Sequence, residues 1–235
     1  MIDLAFALPA DRPLRVLAFG AHADDIEIGA GGLVLSVCAA RPVSVDWVVF
    51  TAEGERRAEA QASAEAFTAN AVARRVEIFD LPGARLPAVW GELKTLVDER
   101  RDRRPDLVLT HRRADRHQDH ALVGELTWNS FRDHLVLEYE IPKYEGDLGQ
   151  PDLFVPLGEE VLETKIALLE HHFPSQRHRS WFDADTFRGL ARLRGVECNS
   201  PTRWAEAFHA PKVRLDPMCP ADGSPLPTGL KGRQS

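Results

Sequence analysis

Cysteine, lysine and long apolar runs are what this chain of 235 residues has least of. Its three cysteines, Cys38, Cys198 and Cys219, stand far apart and without CxxC spacing, which excludes a disulfide framework and a thiolate zinc site. No run of about 18 apolar residues occurs, so no segment is a candidate membrane span. Asp3 stands where a secretory leader would carry Lys or Arg, and the expected location is cytoplasmic. Basic residues are outnumbered, 29 Lys+Arg against 36 Asp+Glu, for a formal charge of −7, a poor starting point for binding nucleic acid. Hydrophobic residues at 44% and charged residues at 28% are ordinary for a globular chain. At this length about 70–75% of the unfolded surface can be buried, so neither a disulfide nor a metal is needed merely to fold. What is abundant is histidine, with nine.

The apolar pattern alternates strand with helix. Leu14 to Phe19 reads as a buried strand ended by Gly20, and the glycine-led apolar stretch 29–40 as a helix packed close to a sheet. Strands are expected at 43–51, 76–79, 106–110 and 134–141, and helices at 55–73, 90–101, 119–132, 159–172 and 184–195. Residues 142–151 read as a loop. This spacing predicts an α/β fold, Rossmann-like, with a mostly parallel sheet flanked by helices on both faces and its active site at the C-terminal ends of the strands. Residues 1–215 are expected to form a single domain, followed by a Pro/Gly-rich tail over 216–235.

Two polar clusters follow directly on two of these strands. One is His22-Ala23-Asp24-Asp25, the other Asp115-Arg116-His117-Gln118-Asp119-His120. Imidazole and carboxylate are ligand types that zinc accepts, and a catalytic zinc needs three protein ligands with one position left for water. A His and an Asp three residues apart, with a His at a helix start, would supply them. Asp24 is then placed to accept a proton from water, and His117 to face the substrate. The plainer alternative is that Asp24, Asp25 and Asp119 cap helices, and that His111 and His134 are ordinary polar or half-buried residues. A dinucleotide fingerprint in the Gly-Ala-Gly-Gly segment fails on spacing, because Gly20 is followed by His and two Asp, where a pyrophosphate would be repelled.

At these residues the sequence resembles the zinc-dependent LmbE/PIG-L family of N-acetyl amino-sugar deacetylases. The first family motif is matched by Ala21-His22-Ala23-Asp24-Asp25 followed by Ile28-Gly29-Ala30-Gly31-Gly32, with Ala23 where relatives usually have Pro. The second, H-x-D-H with an upstream Asp, is matched by Asp115 and His117-Gln118-Asp119-His120. The likeness continues through Thr51, Gly54-Glu55, Arg56 with Glu59, Pro105-Asp106, Thr110-His111, Lys165, Ser175-Gln176 and Ala205-Glu206-Ala207-Phe208. The resemblance implies His22, Asp25 and His120 as ligands of Zn2+, Asp24 as general base, and His117 as the group that stabilises the oxyanion and helps protonate the amine. It implies Asp119 as a carboxylate orienting His117, and Arg56 as a substrate-side arginine behind a loop shorter than usual. The implied reaction is removal of an N-acetyl group from an N-acetylglucosamine-type sugar or glycoconjugate by attack of zinc-bound water. The same donor set also accepts iron(II), and relatives often form homo-oligomers.

The substrate is less defined. Tyr144 is a candidate sugar platform and Asp147 a candidate hydroxyl binder, in a segment that reads equally as a solvated loop. Arg112, Arg113 and Arg116, in a chain with 24 Arg to five Lys, keep a phosphate-bearing substrate open. An amidase on a thiol conjugate or natural-product amide would use the same site. A nucleotide-sugar-binding protein without hydrolysis is the alternative of another class. Trp128 and Trp181 read as core, and His171 and His172 as approaching the pocket from beside Ser175.

Overall fold

The computed structural model describes residues 2–6, 8–9 and 11–214, so the 216–235 tail and Cys219 lie outside the described residues. Seven strands form one sheet: β1 Leu14–His22, β2 Val43–Thr51, β3 Ala73–Ile78, β4 Leu107–His111, β5 Leu135–Tyr139, β6 Leu153–Leu157 and β7 Trp204–His209. Their order is β3-β2-β1-β4-β5-β7-β6. The first five are parallel, and β7 runs antiparallel to both β5 and β6. The helices are α1 Asp25–Ala40, α2 Gly54–Phe67, α3 Trp90–Glu99, α4 Gln118–Ser130, α5 Glu159–His172 and α6 Ala184–Glu197.

Strand alternation builds two cores. Leu14, Val16 and Ala18 face a core shared with α1, α2, α5 and α6. Leu17, Phe19 and Ala21 face the other, filled by Leu93 and Val97 of α3 and Leu122, Val123 and Leu126 of α4. Helices therefore cover both faces, as parallel strands buried on two sides require.

Several boundaries differ from the sequence expectation. β1 does not end at Gly20, because β2 pairs with it as far as His22 opposite Thr51. α1 begins four residues earlier than expected, at Asp25. α2 stops at Phe67 instead of residue 73: the Thr68 hydroxyl donates to Ala64 O, and the Val72 N–H donates to Val43 O, returning the chain to the sheet. Sheet pairing overrides the helix propensity of the alanines. β6 and β7 were not expected as strands. β6 carries Pro156, tolerated because this is an edge strand.

The glycines of α1 set how closely it lies against the sheet. A Cβ at Gly29 would stand 2.2 Å from a Tyr139 ring carbon, and one at Gly32 2.6 Å from Leu157 Cδ1 and 2.8 Å from Glu206 Oε1. Glu206 accepts from the N–H groups of Gly32 and Leu33, and its Lys165 partner donates to Ile28 O, so a buried ion pair clasps α1 over the first two turns beyond Asp25.

Candidate metal centre

Strand order reverses between β1 and β4, and the crevice beyond the C-terminal ends of those strands is where an open α/β sheet binds ligands. His22 is the last residue of β1 and His111 the last of β4. Asp24 and Asp25 are the N-cap and first residue of α1; His117 is the N-cap of α4 and His120 lies in its first turn. The two clusters, nearly a hundred residues apart in sequence, thus meet.

His22 Nδ1 lies 3.0 Å from His120 Nε2 and 3.3 Å from Asp25 Oδ2, and His120 Nε2 lies 3.5 Å from Asp25 Oδ1. Ligands about 2.0–2.1 Å from a tetrahedral zinc stand roughly 3.3 Å from one another, and the two imidazole nitrogens and the Asp25 carboxylate, which meets them with different oxygens, have spacings of this order. Each imidazole also turns its other nitrogen to a carboxylate: His22 Nε2 is 3.2 Å from Asp119 Oδ2, and His120 Nδ1 is 3.0 Å from Asp115 Oδ2. That is the arrangement that fixes tautomer and ring direction in metal-ligating histidines. Two further histidines reach the same space, since His117 groups with His22 and His120, and His111 with Asp25 and His120. Both are otherwise engaged. His111 Nε2 accepts the Ala21 N–H at 2.9 Å, and His117 Nδ1 accepts the Asp119 N–H at 3.3 Å.

The charges describe a pocket shaped for a cation. Burial pulls the His22 imidazole down, yet Asp25, Asp119 and Asp24 together outweigh it and push its pKa up to about 10. Burial also opposes ionisation of Asp25, but His120, His111 and His22 hold its carboxyl well below the usual range. His111 is fully buried, and burial with the neighbouring His120 drives its imidazole down to about 4.

Asp24 makes no cap hydrogen bond with its side chain. Its carboxylate pairs with Arg56 Nη2 at 2.9 Å instead. The loop after β2 is only residues 52 and 53, and Gly54 at φ +51° turns the chain so that Arg56 lies in the first turn of α2. Arg56 also meets Glu59 at 3.2 Å and lies 5.3 Å from the Phe173 ring centre, and Glu59 accepts from the backbone N–H and hydroxyl of Ser175.

Asp119 requires a correction. It was expected to orient His117, but its carboxylate accepts from the N–H groups of Ala84 and Leu86 and contacts His22. His117 is held by its N-cap bond, and burial together with His120 and His22 keeps its pKa below the ordinary range, against the pull of Asp119.

The arginines beside the second motif do not converge on an anion. Arg112 donates to Asp147 O, and Arg113 donates to Glu138 and lies 4.4 Å from the Trp128 ring centre. Asp147 is not free to bind hydroxyls, because Lys143 and the Arg116 N–H occupy its carboxylate. Trp128 and Trp181 pack against the cores only partly buried, and the rings of His171 and His172 pack edge-to-face on each other, 4.8 Å apart. Asp115 and Lys143 carried no expected role. The signal available for Asp115 was its place five residues before His120.

Residues 17–131 match the family PIG-L: GlcNAc-PI de-N-acetylase. The Escherichia coli K12 protein YaiS, described as an uncharacterized deacetylase, is 26% identical over 188 residues, covering 73% of this chain and 97% of YaiS. The N,N'-diacetylchitobiose deacetylase of Pyrococcus horikoshii shares the fold at a TM-score of 0.65 and 19% identity, over 86% of this chain and 85% of that one. GalB of Pseudomonas putida KT2440, a 4-carboxy-2-hydroxymuconate hydratase, shares it at 0.67 and 22%, over 86% and 98%. Both motifs lie inside the residues that match the PIG-L family model and meet at one crevice, so the likeness to this deacetylase family covers the candidate site itself.

Proposed function

We propose that this chain is a metal-dependent hydrolase removing the N-acetyl group from an N-acetylglucosamine-type sugar or glycoconjugate, with residues 1–215 acting as one domain. The observation that carries this reading is the donor set: two imidazole nitrogens and a carboxylate 3.0–3.5 Å apart, each imidazole backed by a further carboxylate. His22, Asp25 and His120 hold the ion, and zinc suits them, with iron(II) as the other candidate. Such an ion, when bound, lowers the pKa of water and polarises the amide carbonyl.

The remaining chemistry belongs to side chains around that set. Asp24, uncapped and adjacent, takes the proton from water as it attacks the carbonyl carbon. Arg56 steadies that carboxylate and lines the substrate side. His117, with Nδ1 engaged by the Asp119 N–H, keeps its ring proton on Nε2 and directs it at the carbonyl oxygen as negative charge develops. The amine leaves carrying the proton that Asp24 took from water, with the His117 Nε2–H holding the developing oxyanion, since an amide anion is a far poorer leaving group. Asp119 acts from behind His22.

An amidase on a thiol conjugate or natural-product amide would use the same groups. The hydratase among the fold neighbours supports one reading of another kind, addition of water to a carbon–carbon double bond. The test is acetate and free-amine release from N-acetylglucosamine, its phosphates, nucleotide sugars, N-acetyl glycosides and thiol conjugates, with Asp24→Ala as blank and an unsaturated dicarboxylate as a separate arm. Equal amounts of acetate and amine, dependent on added Zn2+ or Fe2+, support deacetylation. Hydration without amide cleavage overturns it, as does a bound nucleotide sugar left intact.

A further inference from the structure

The loop after β5 reaches back to the second motif through Lys143 and Asp147. Lys143 Nζ lies 2.8 Å from Asp115 Oδ2 and 2.7 Å from Asp147 Oδ1, with 9% of its side chain exposed. Asp115 Oδ2 is the same oxygen that faces His120 Nδ1, while Asp115 Oδ1 accepts the His117 N–H at 2.8 Å. Asp147 Oδ2 accepts the Arg116 N–H at 2.7 Å. Residues 115 and 116 are therefore tied directly to a loop that presents the exposed Tyr144 to solvent, residue 117 only through Asp115, and Tyr144 itself reaches Ser180 Oγ at 3.2 Å.

We propose that Lys143 is a positioning residue that couples this loop to the metal ligand His120 through Asp115. The inference rests on the reading of His120 as a ligand. An ammonium between two buried carboxylates removes their mutual repulsion and fixes the one oxygen that orients the imidazole. Without it, Asp115 and Asp147 face each other as like charges. The loop then keeps its bonds to the Arg116 N–H and to Arg112 but loses its tie to Asp115, and the His120 ring loses its fixed direction. Arginine does not substitute directly, because its planar fork cannot converge on two separate carboxylates as a point charge does.

The test uses the full chain and its Lys143→Met, Lys143→Arg and Asp115→Asn variants, with Lys143→Met/Asp115→Asn as the double. Zn2+ and Co2+ dissociation constants are measured by competition with a chromogenic chelator, the Co2+ visible spectrum is recorded, and loop cleavage is followed by limited proteolysis. Lys143→Met is expected to weaken metal binding about ten- to hundred-fold, to alter the Co2+ spectrum and to expose the loop to cleavage. If Lys143 acts through Asp115, the double variant binds metal no more weakly than Asp115→Asn alone. Wild-type affinity and spectrum in both Lys143 variants would overturn the coupling, as would losses that simply multiply in the double. Lys143→Arg, which keeps the charge, serves if Lys143→Met does not fold. A wild-type chain that binds neither ion overturns the ligand reading itself. A chain that binds and deacetylates, yet is indifferent to Lys143, overturns the coupling alone.

Discussion

Asp24 occupies the N-cap of α1, a place where a carboxylate ordinarily bonds to the helix, and its side chain turns to Arg56 instead. A side chain that forgoes its local bond is available for chemistry. Asp24→Ala is therefore expected to keep its metal and lose about 10²–10⁴-fold in turnover, measured as acetate release beside metal analysis. Near-normal turnover with full metal would remove Asp24 as the base. Asp115→Asn, which strips His120 of its carboxylate partner, should weaken metal binding by about 10–100-fold, read by chelator competition. At this scale the sequence was informative wherever a residue sits beside a strand end. That His22, Asp24, Asp25, His117 and His120 share one crevice was legible from two polar clusters placed directly after strand ends. The partners behind them were not. Asp119 lies two residues from His117 and was assigned to it, but its carboxylate serves His22, 97 positions away, and a loop after β3.

Among the elements, α1 depends on the closeness its glycines allow. Gly29→Ala would drive a methyl into the Tyr139 ring, whose hydroxyl is itself bonded to Phe19 O, so neither side can yield freely. An overpacking cost of about 1–3 kcal/mol is expected, visible as a lower urea midpoint. Gly189→Ala, in α6 with nothing within 4 Å of the added carbon, should instead stabilise by about 0.5–1 kcal/mol. The apolar strands β1, β2, β4 and β5 were readable from composition. β7 was not, since Ala205, Glu206 and Ala207 have little strand propensity and the segment becomes a strand only by lying between β5 and β6. Its Glu206 is nonetheless the residue that clasps α1.

At the level of the whole molecule, the sheet brings N-terminal and central segments together before any ligand is considered. Asp106 illustrates this at the end opposite the candidate site: it accepts from Arg12 and from the Arg15 N–H. Burial opposes its ionisation, but these partners hold its pKa below the usual carboxylate value. Its stabilising contribution is thus present above the unfolded pKa of about 3.9 and is lost as pH falls through the folded value. Urea melts of Asp106→Asn should differ from wild type at pH 7 and converge with it in strong acid. An equal difference at both pH values would show that the ion pair does not act through titration.

Metal occupancy of the crevice is the claim on which the functional reading depends, and metal stoichiometry tests it most directly. Wild type, His22→Ala, Asp25→Ala, His120→Ala, His111→Phe and His117→Ala would be stripped with chelator, reloaded with Zn2+ and analysed per chain. One ion per chain is expected in wild type and in the His111 and His117 variants, with loss in each of the other three. Full occupancy in His22→Ala and His120→Ala, or loss in His117→Ala instead, would contradict the assignment.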